Sequence, residues 1–384
     1  MKKINTDLRT VYAFECNNYE EKKVYDICGK IISETLRENN IDIKGKRVLI
    51  KPNLLAKRTP EKGITTHPVF VESAALYLYS LGAERVIIAD SPGGTYNKAV
   101  LSGIYKITGM EEATEKSGAK LNFDTGSVEI SGFGGVKVKT FEVTNITKES
   151  DLTINICRLK THALCEMSAA VKNMFGSIPG LMKAEMHARF PKRDDFAAML
   201  TDLCLAAAPQ INIVDAVYGM EGNGPAGGTL KKVGLILGSS NPFVLDTVCA
   251  ELIGYGPSEV GTVHEAVERG FSPEKTENIN ICGADIKKYS VKFKRPDGTA
   301  GGLLKQLPTI FGGRLQKWLE PKPYINKEKC VGCGRCAACC PQKTIKIISG
   351  KALLDYEKCI KCYCCQELCP KHAVDVKRNF FLKF

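Results

Sequence analysis

Eight cysteines near the C-terminus stand at a spacing that suits iron–sulfur chemistry. Two runs of the form C-x2-C-x2-C-x3-C-P follow one another, and they begin at Cys330 and Cys359. Three thiolates at three-residue intervals wrap one loop around three iron corners of a cubane, and the fourth cysteine points to the other cluster. The proline after the fourth cysteine turns the chain away without needing an N–H group. The spacing therefore predicts two 4Fe–4S clusters as cofactors.

Because the fourth ligand crosses over, each cluster takes cysteines from both runs. The predicted ligands are Cys330, Cys333, Cys336 and Cys369 for one cluster, and Cys359, Cys362, Cys365 and Cys340 for the other. Zinc is the alternative, but zinc sites commonly use two C-x2-C pairs with longer spacing between them. Cys339 and Cys364 are extra cysteines beside complete runs, and we predict that they are not ligands.

The two runs belong to an internal repeat with a period of 29 residues. Residues 328–347 and 357–376 agree at seven of twenty positions, including the four cysteines and the proline. Residues 321–384 hold 13 Lys and Arg against 5 Asp and Glu, and the whole chain has a net charge of +12. Each cluster with four thiolates is an anion, so nearby lysines offset its charge. No aromatic-and-basic motif is present, so a nucleic-acid partner is not expected.

Polar residues also stand directly after several apolar runs in the first 284 residues. In parallel sheets, ligands bind outside the carboxyl ends of the strands, so these side chains are expected to converge. The predicted catalytic residues are His162, Lys160 and Asp90, and the predicted substrate-binding residues are Lys51, Asn53, His67, Lys172, Asn173, Asp215 and Glu221. The lysines suggest an anionic substrate held by phosphate or carboxylate, and His162 or His67 would move protons. Lys183 and His187 are further candidates.

Several of these residues have simpler explanations. Asp90 precedes Ser-Pro-Gly-Gly and could form an Asx turn. Lone histidines are usually packing residues with satisfied hydrogen bonds. The glycine-rich segment 222–228 is most simply a mobile turn, although it could be a lid. No P-loop is present, which argues against one of the common nucleotide mechanisms.

The elements that would position these residues alternate between strands and helices. Apolar runs of strand length occur at residues 47–50, 85–89, 152–157, 211–214, 233–237 and 279–282. Helices are predicted at residues 22–38, 68–81, 97–108, 194–208, 242–253 and 257–269, and a hairpin at 127–143. The pattern predicts an α/β fold with a mostly parallel sheet flanked by helices, followed by a small ferredoxin-like α+β domain.

The length of the chain favours two domains. We predict an α/β domain at residues 1–284, a linker at 285–320 with a short helix near 303–319, and the two-cluster domain at 321–384. No apolar run reaches 18 residues and no signal segment is apparent, so no membrane span is expected. The 17 cysteines suit a reducing cytoplasm, and an anaerobic one.

The strings KPNL, THP, ADSPGG, LKTH, SAAVKNMFGSIPG and VDAVYGMEGNGPAGG occur in this order along the chain. In these motifs the sequence resembles the family called domain of unknown function 362. The resemblance covers residues 47–253 and then the C-terminal module. Many members look like an α/β domain followed by a two-cluster ferredoxin, which is what the resemblance implies here. It implies a family without a settled reaction.

We therefore expect an iron–sulfur electron-transfer protein, and specifically an oxidoreductase in which the clusters exchange electrons with an anionic substrate on the α/β domain. Two other hypotheses stay open. One is an electron carrier whose α/β body only docks on a redox partner protein, and the other is a maturation factor for a metallocentre or cofactor. A structure that shows an open pocket at the strand ends, close to the clusters, would favour the oxidoreductase.

Overall fold

The computed structural model describes residues 2–297 and 321–377. The helix predicted near 303–319 lies outside these described residues. The strands of the larger part are β1 (Thr10–Glu15), β2 (Arg47–Lys51), β3 (Arg85–Ile88), β4 (Lys120–Leu121), β5 (Ser127–Ser131), β6 (Thr140–Thr144), β7 (Leu152–His162), β8 (Glu166–Ser168), β9 (Ile211–Glu221), β10 (Thr229–Ser239) and β11 (Asn280–Gly283).

Helices of this part connect most of the strands. They are α1 (Glu21–Glu38), α2 (Pro68–Ser80), α3 (Lys98–Ile107), α4 (Met110–Ser117), α5 (Asn145–Glu149), α6 (Ala170–Asn173), α7 (Met182–Arg189), α8 (Arg193–Ala207), α9 (Pro242–Leu252) and α10 (Gly261–Glu268). Short 3-10 helices lie at Pro60–Lys62, Met174–Ser177, Pro257–Glu259, Thr276–Asn278 and Ile286–Tyr289.

Nine strands form one sheet in the order β11-β1-β10-β9-β7-β2-β3-β4, with β8 paired to β7. The half from β9 to β4 is parallel, and β10 runs antiparallel to both of its neighbours. The register places Ile50 opposite Ile88 on one side and Ile154 on the other. The prediction of a mostly parallel sheet flanked by helices is confirmed.

Helices pack on both faces of the sheet. On one face, Ile31 of α1 and Phe70 of α2 pack in one core with Ile154 of β7. On the other face, Val244 and Val248 of α9 pack in a core that includes β7 residues. Because the strands are buried on both sides, their apolar runs lack alternation. The sequence pattern reflects this two-sided burial.

Several helices begin at the residue types that favour an N-terminus. The Asn97 side chain accepts a hydrogen bond from the N–H of Val100 at 2.9 Å, and Asn241 caps α9 by accepting from Phe243 at 3.0 Å. Pro68 and Pro242 occupy the first helical position, where no N–H is needed. The predicted helix at 257–269 is instead a 3-10 turn followed by α10.

The three long strands extend well beyond the predicted runs. The apolar pattern stopped at residue 157 for β7 and at 214 for β9, but both strands continue to His162 and Glu221. All eleven residues of β7 are buried, including the polar ones. The strands continue because their polar side chains find partners inside the protein. Strand β1 and helix α7 were not predicted at all.

Residues 285–297, the first part of the predicted linker, lie against the larger part. The N–H of Val291 donates to the carbonyl of Leu252 at 2.9 Å, and that of Phe293 donates to Ile253 at 3.0 Å. The Phe293 side chain is 2% exposed and belongs to the core beside α9. The division into domains at 284 and 321 stays a prediction.

The C-terminal part consists of short elements in the α+β arrangement expected from the repeat. Its elements are β12 (Lys322–Ile325), α11 (Arg335–Ala338), β13 (Ile345–Ile348), β14 (Lys351–Leu354), α12 (Cys364–Glu367) and β15 (Val374–Lys377). Strand β12 pairs with β15, and β13 pairs with β14, both antiparallel. Each repeat thus contains one helix and most of one strand, and a further strand, β12 or β14, precedes each repeat.

This C-terminal part packs against the end of β7. Tyr363 and Val376 belong to a buried cluster that otherwise consists of residues of the larger part, such as Leu164 and Phe196. The Arg58 guanidinium donates to the backbone carbonyl of Pro370 at 2.9 Å. The carboxyl edge of the sheet therefore faces the cysteine-rich part.

Candidate functional site

A cleft of about 750 Å³ lies between the carboxyl edge of the sheet and the C-terminal part. Its lining includes Lys51, Asn53, Asp90, Lys160, Lys172, Asn173, Phe175, Lys183, His187, Cys339, Cys364, Glu367 and Leu368. Six of the ten predicted site residues of the α/β domain are among them. The placement after the strands is what brings them together.

Lys51 and Asp90 form a buried ion pair at the ends of β2 and β3. Lys51 Nζ lies 2.7 Å from Asp90 Oδ1, and both side chains are less than 5% exposed. The other carboxylate oxygen, Oδ2, accepts the N–H of Leu54 at 2.7 Å. A side chain at Gly176 would overlap this pair, so only glycine permits the close approach of its backbone. The pair is neutral as a unit and fixes the loop that follows β2.

Lys160 is held by acceptors of the neighbouring loops. Its Nζ donates to Asn53 Oδ1 at 2.6 Å and to the carbonyl of Ile64 at 2.8 Å. Burial, with Lys172 and Arg158 nearby, lowers the pKa of Lys160 to about 7. No carboxylate among residues 2–297 and 321–377 forms an ion pair with Lys160, and an anion in the cleft would favour its charged form.

A network of amide side chains positions Asn53, the residue whose side chain accepts a hydrogen bond from Lys160. Asn53 Nδ2 donates to Asn173 Oδ1 at 3.0 Å, and Asn173 Nδ2 donates to Asn155 Oδ1 at 2.7 Å. Asn155 in turn donates to Asn212 Oδ1 at 2.9 Å. Asn155 and Asn212 lie in the first halves of β7 and β9 and were missed, because an amide inside an apolar run gives no sequence signal. The network fixes the orientation of Asn53 toward Lys160.

His162 is buried behind the cleft wall and contacts the C-terminal part. Its Nδ1 accepts the N–H groups of Leu164 at 3.1 Å and Cys165 at 3.2 Å, so the neutral ring carries its proton on Nε2. That Nε2 lies 2.9 Å from Glu367 Oε1. Burial, together with Lys172, lowers the pKa of His162 to about 4, so the ring is neutral at pH 7. The histidine therefore holds Glu367, which itself lines the cleft.

Glu367 was not predicted as a site residue. It lies between Cys365 and Cys369 of the second cysteine run, and the spacing of the cysteines does not distinguish it from the other residues between the ligands. Burial would raise its pKa, but His162 and Lys172 outweigh this effect and lower it, so the group is a carboxylate. Glu367 is the acidic counterpart of the lysines on the opposite wall.

Two cationic groups of the cleft differ in how they are held. Lys183 donates to the Ser91 hydroxyl at 3.2 Å and to the carbonyl of Ile178, and burial lowers its pKa to about 7. Lys172 lies 5.7 Å from the centroid of the Phe175 ring and has no hydrogen bond or ion pair with the described residues. Lys172 is therefore available to a ligand.

His187 also lines the cleft, and its ring stacks on Phe196 at 4.4 Å between centroids. Its Nδ1 is buried and has no hydrogen-bond partner among the described residues. Burial lowers the pKa of His187 to about 3, with Glu367 opposing the effect. The ring is neutral at pH 7, and its unpaired nitrogen is a second polar group that a ligand could reach.

Three predicted residues lie away from the cleft, which corrects the expectation of one shared site. Asp215 is fully buried, 3.6 Å from Arg158 Nη1, and accepts the Tyr19 hydroxyl at 3.2 Å. His67 caps α2 and stacks on Tyr19 at 3.9 Å. Glu221 lies at the end of β9, 3.3 Å from Lys231 Nζ. The first two form a separate internal cluster because β7 and β9 continue past the predicted strand ends.

The cysteines surround two cavities in the C-terminal part. Cys330, Cys333, Cys336 and Cys369 line a cavity of about 360 Å³, which we call the first cavity. Cys340, Cys359, Cys362 and Cys365 line another of about 320 Å³, the second cavity. All of these cysteines are free thiols. The four predicted ligands around each space are the donor set that a 4Fe–4S cubane takes.

Backbone N–H groups point at three of these sulfur atoms. Ala352 donates to Cys330 Sγ at 3.4 Å, Thr344 donates to Cys340 Sγ at 3.3 Å, and Ala373 donates to Cys369 Sγ at 3.2 Å. Such hydrogen bonds stabilise thiolates and tune cluster potentials. The cysteines thus fit iron–sulfur ligation in both number and surroundings. No three His, Cys, Asp or Glu side chains of the described chain lie close enough together to hold a single metal ion.

The two extra cysteines lie between the cavities and the cleft. Cys339 lines the cleft and donates to the Cys336 carbonyl at 3.4 Å. Cys364 lines the cleft and also the second cavity. The cleft and the second cavity therefore share a wall.

Two family models match the chain. The model described as a domain of unknown function, DUF362, covers residues 48–251, which is more than half of the 384 residues. The chain belongs to the DUF362 family. The resemblance seen in the motifs is confirmed. The second model, described as a 4Fe-4S dicluster domain, covers residues 322–370, so this DUF362 member is an iron–sulfur protein with a ferredoxin-type domain.

One relative of this DUF362 protein is the thylakoid-associated protein sll1697 of Synechocystis sp. (strain ATCC 27184 / PCC 6803 / Kazusa). It is 31% identical over 241 residues, which are 61% of this chain and 71% of that protein. The lactate racemase apoprotein from Thermoanaerobacterium thermosaccharolyticum is a similar solved structure, with a TM-score of 0.38 and 13% identity. The alignment covers 66% of this chain and 59% of that chain, less than two thirds of it. At this level the likeness indicates nothing about function.

No helix among residues 2–297 and 321–377 combines the length and the apolar character that a membrane crossing requires.

Proposed function

We propose that this protein is an iron–sulfur oxidoreductase that exchanges electrons with a small anionic substrate in the cleft. The observation that carries the proposal is the shared wall, since Cys364 lines both the cleft and the second cavity. A substrate on one side of this wall would lie beside a redox centre on the other. Free thiols and oxygen-sensitive clusters would suit a reducing cytoplasm.

We propose two 4Fe–4S clusters, held by the cysteine sets of the first and second cavities. When bound, they supply one-electron transfer. Anaerobically purified protein is expected to contain about eight iron and eight acid-labile sulfide per chain, since each cluster contributes four of each. Stoichiometric zinc with little iron would contradict this.

The crossing of the ligands has its own test. Cys340→Ser is expected to change the EPR signal of the cluster held mainly by the second run, because Cys340 lies on the second cavity. Cys369→Ser is expected to change the signal of the other cluster. Ser at either position keeps the size of the side chain, and Cys339→Ser is the matched control beside the ligands. Loss confined to the run that contains the mutated cysteine would refute the assignment.

The charges of the cleft favour an anion. Lys51 is neutralised by Asp90, which leaves Lys160, Lys172 and Lys183 on a wall that faces the single carboxylate of Glu367. Apolar side chains complete the lining, among them Phe175 and Leu368. A small carboxylate or phosphate ester with an apolar portion would satisfy both kinds of contact.

Four residues in or behind the cleft would have distinct roles. Lys160 and Lys172 would bind the anionic group, and the amide network below Asn53 would keep Lys160 directed at it. Glu367 would face the substrate from the C-terminal part. His162 would act as a positioning residue, because its Nε2 lies 2.9 Å from Glu367 and its ring does not line the cleft.

The test uses clusters reduced by photoreduced deazaflavin and a panel of anions that includes fumarate, pyruvate and inorganic phosphate. At least one carbon-containing anion is expected to reoxidise the clusters. Lys160→Ala and Lys172→Ala should then slow this reoxidation by about tenfold or more, because the charge that holds the anion is removed. The visible absorption of the clusters gives the rate, and the iron content should not change.

Matched variants separate binding from folding. Lys44→Ala removes an exposed lysine before the start of β2, whereas the cleft lies at the end of that strand, and should leave the rate unchanged. His162→Ala should slow the reaction, whereas His162→Gln, which retains an N–H donor, should restore part of the rate. Unaltered reoxidation in Lys160→Ala and Lys172→Ala would refute the substrate site. Clusters that exchange electrons only with proteins would favour the electron-carrier hypothesis.

A further inference from the structure

The two cavities differ in their surroundings. The second cavity shares Cys364 with the cleft, whereas exposed residues line the first cavity. All 17 cysteines lie in the described residues, and Cys333 is the one that is exposed. Cys333 lines the first cavity. A redox centre held there would therefore lie at the surface, on the side of the domain that does not form the cleft wall.

Apolar side chains surround this exposed cysteine. Val331 and Ile347 line the first cavity and are 58% and 38% exposed. Gly332 lies directly against the backbone of Gly350, so the loop that carries Val331 and Cys333 abuts the hairpin turn. We call Val331, Cys333 and Ile347 the apolar patch. Exposed apolar clusters of this kind mark interaction sites.

Basic residues border the patch. Lys329, Arg335 and Lys346 are exposed and stand next to Cys330, Cys336 and Ile347 in the sequence. Lys371 is also exposed and lines the first cavity, and Glu328 is the acidic exception. Residues 321–377 together hold 11 Lys and Arg against 5 Asp and Glu. An apolar centre with a basic border fits a partner that has the opposite charge around an apolar contact.

We propose that the apolar patch is the docking site of an acidic electron-carrier protein, such as a small ferredoxin or flavodoxin. This proposal rests on the proposed function in one respect, namely that the clusters serve the cleft. The carrier would give up one electron at each encounter and leave oxidised, and no proton or covalent bond would change hands at this surface. Electrons would then enter and leave the domain at different places. The carrier would dock at the apolar patch, which contains the exposed Cys333, and the substrate would bind in the cleft beside Cys364.

The positive charge around the apolar patch indicates which kind of partner binds there. A second copy of this chain would present the same basic border and would be repelled, and a nucleic acid would not use an apolar centre. An acidic carrier gains from the border through long-range attraction, which accelerates its encounter and weakens with salt.

The test measures binding directly, with an acidic bacterial ferredoxin and an acidic flavodoxin as probes. We expect calorimetry to show binding of at least one probe, weaker by about tenfold or more in about 500 mM than in about 50 mM NaCl. The double variant Lys329→Glu/Lys346→Glu should weaken binding by about tenfold or more. Val331→Asp is a second variant, since it places a charge in the apolar centre of the contact.

The control is Lys44→Glu/Lys275→Glu, which makes the same change of charge at two exposed lysines of the α/β domain. Wild-type affinity in Lys329→Glu/Lys346→Glu, equal weakening in the control, or no binding of either probe would overturn the docking site. Reoxidation of photoreduced clusters by the anion panel needs no carrier, so it should be unaffected by Lys329→Glu/Lys346→Glu. That readout separates a failure of the docking site from a failure of the proposed function.

Discussion

Replacing Arg158 with methionine is expected to lower the free energy of unfolding by about 3–5 kcal/mol. The guanidinium lies 3.6 Å from the Asp215 carboxylate, and both side chains are at most 1% exposed. Arg158 also donates to the Tyr19 hydroxyl at 2.6 Å and to the carbonyl of Tyr218 at 3.1 Å. Without the guanidinium, Asp215 would remain as a buried carboxylate without a cation, whose pKa burial already raises. Anaerobic denaturation followed by far-ultraviolet circular dichroism measures the loss.

A double variant isolates the charge from the packing. Arg158→Met/Asp215→Asn removes both charges and keeps similar volumes, so it should recover a substantial part of the stability that Arg158→Met loses. Arg37→Met, which breaks an exposed pair with Glu34, should change the stability by less than about 1 kcal/mol. Equal losses in the single and double variants would show that the charge pair does not explain the effect.

Acid is expected to destabilise the protein through His187. Its pKa is about 3 in the folded protein, against about 6.5 in the unfolded chain. Between these values the unfolded state binds the proton and the folded state does not, so stability falls as the pH drops below about 6.5 and is lost progressively down to about 3. At pH 4.5 the contribution of this one residue is about 2–3 kcal/mol.

The variant His187→Phe should reduce this dependence on pH. Phenylalanine can keep the stacking on Phe196 without a titratable nitrogen. Melting temperatures from about pH 7.5 to about pH 4.5 should fall less steeply in His187→Phe than in the wild type. The exposed His264 provides the matched control, and His264→Phe should keep the wild-type slope. Parallel slopes for the wild type and His187→Phe would contradict the assignment.

The sheet and the cysteine pattern could be predicted because each depends on a strong local signal. Runs of Val and Ile marked six of the nine strands of the sheet, and the C-x2-C-x2-C-x3-C-P spacing marked the iron–sulfur domain. Lys51, Asp90 and Lys160 converge on the cleft because parallel strands end at one edge. The positions of these residues therefore followed from topology alone.

Other parts of the site depend on distant contacts that no local pattern carries. Arg158 and Asp215 ended the predicted strands because charged residues rarely continue a buried strand, yet each neutralises the other inside the protein. Glu367 lies two residues after a predicted ligand, and only the packing of α12 against β7 brings it to His162. His67 shares its residue type with His162 and His187, but Tyr19 holds it at the start of α2.

Strand β7 is the part of the sheet in which the insertion or deletion of a single residue would do the most damage to the site. Ile154 and Ile156 pack on the face covered by α1 and α2, whereas Cys157 and Leu159 pack on the face covered by α9. Arg158, Lys160 and His162 alternate along the strand with Cys157 and Leu159. Gain or loss of one codon before Arg158 would turn all three side chains to the opposite face together. A single insertion or deletion would therefore have the effect of three substitutions. We expect natural variants of different length to differ in the turn between β5 and β6 and not in β7.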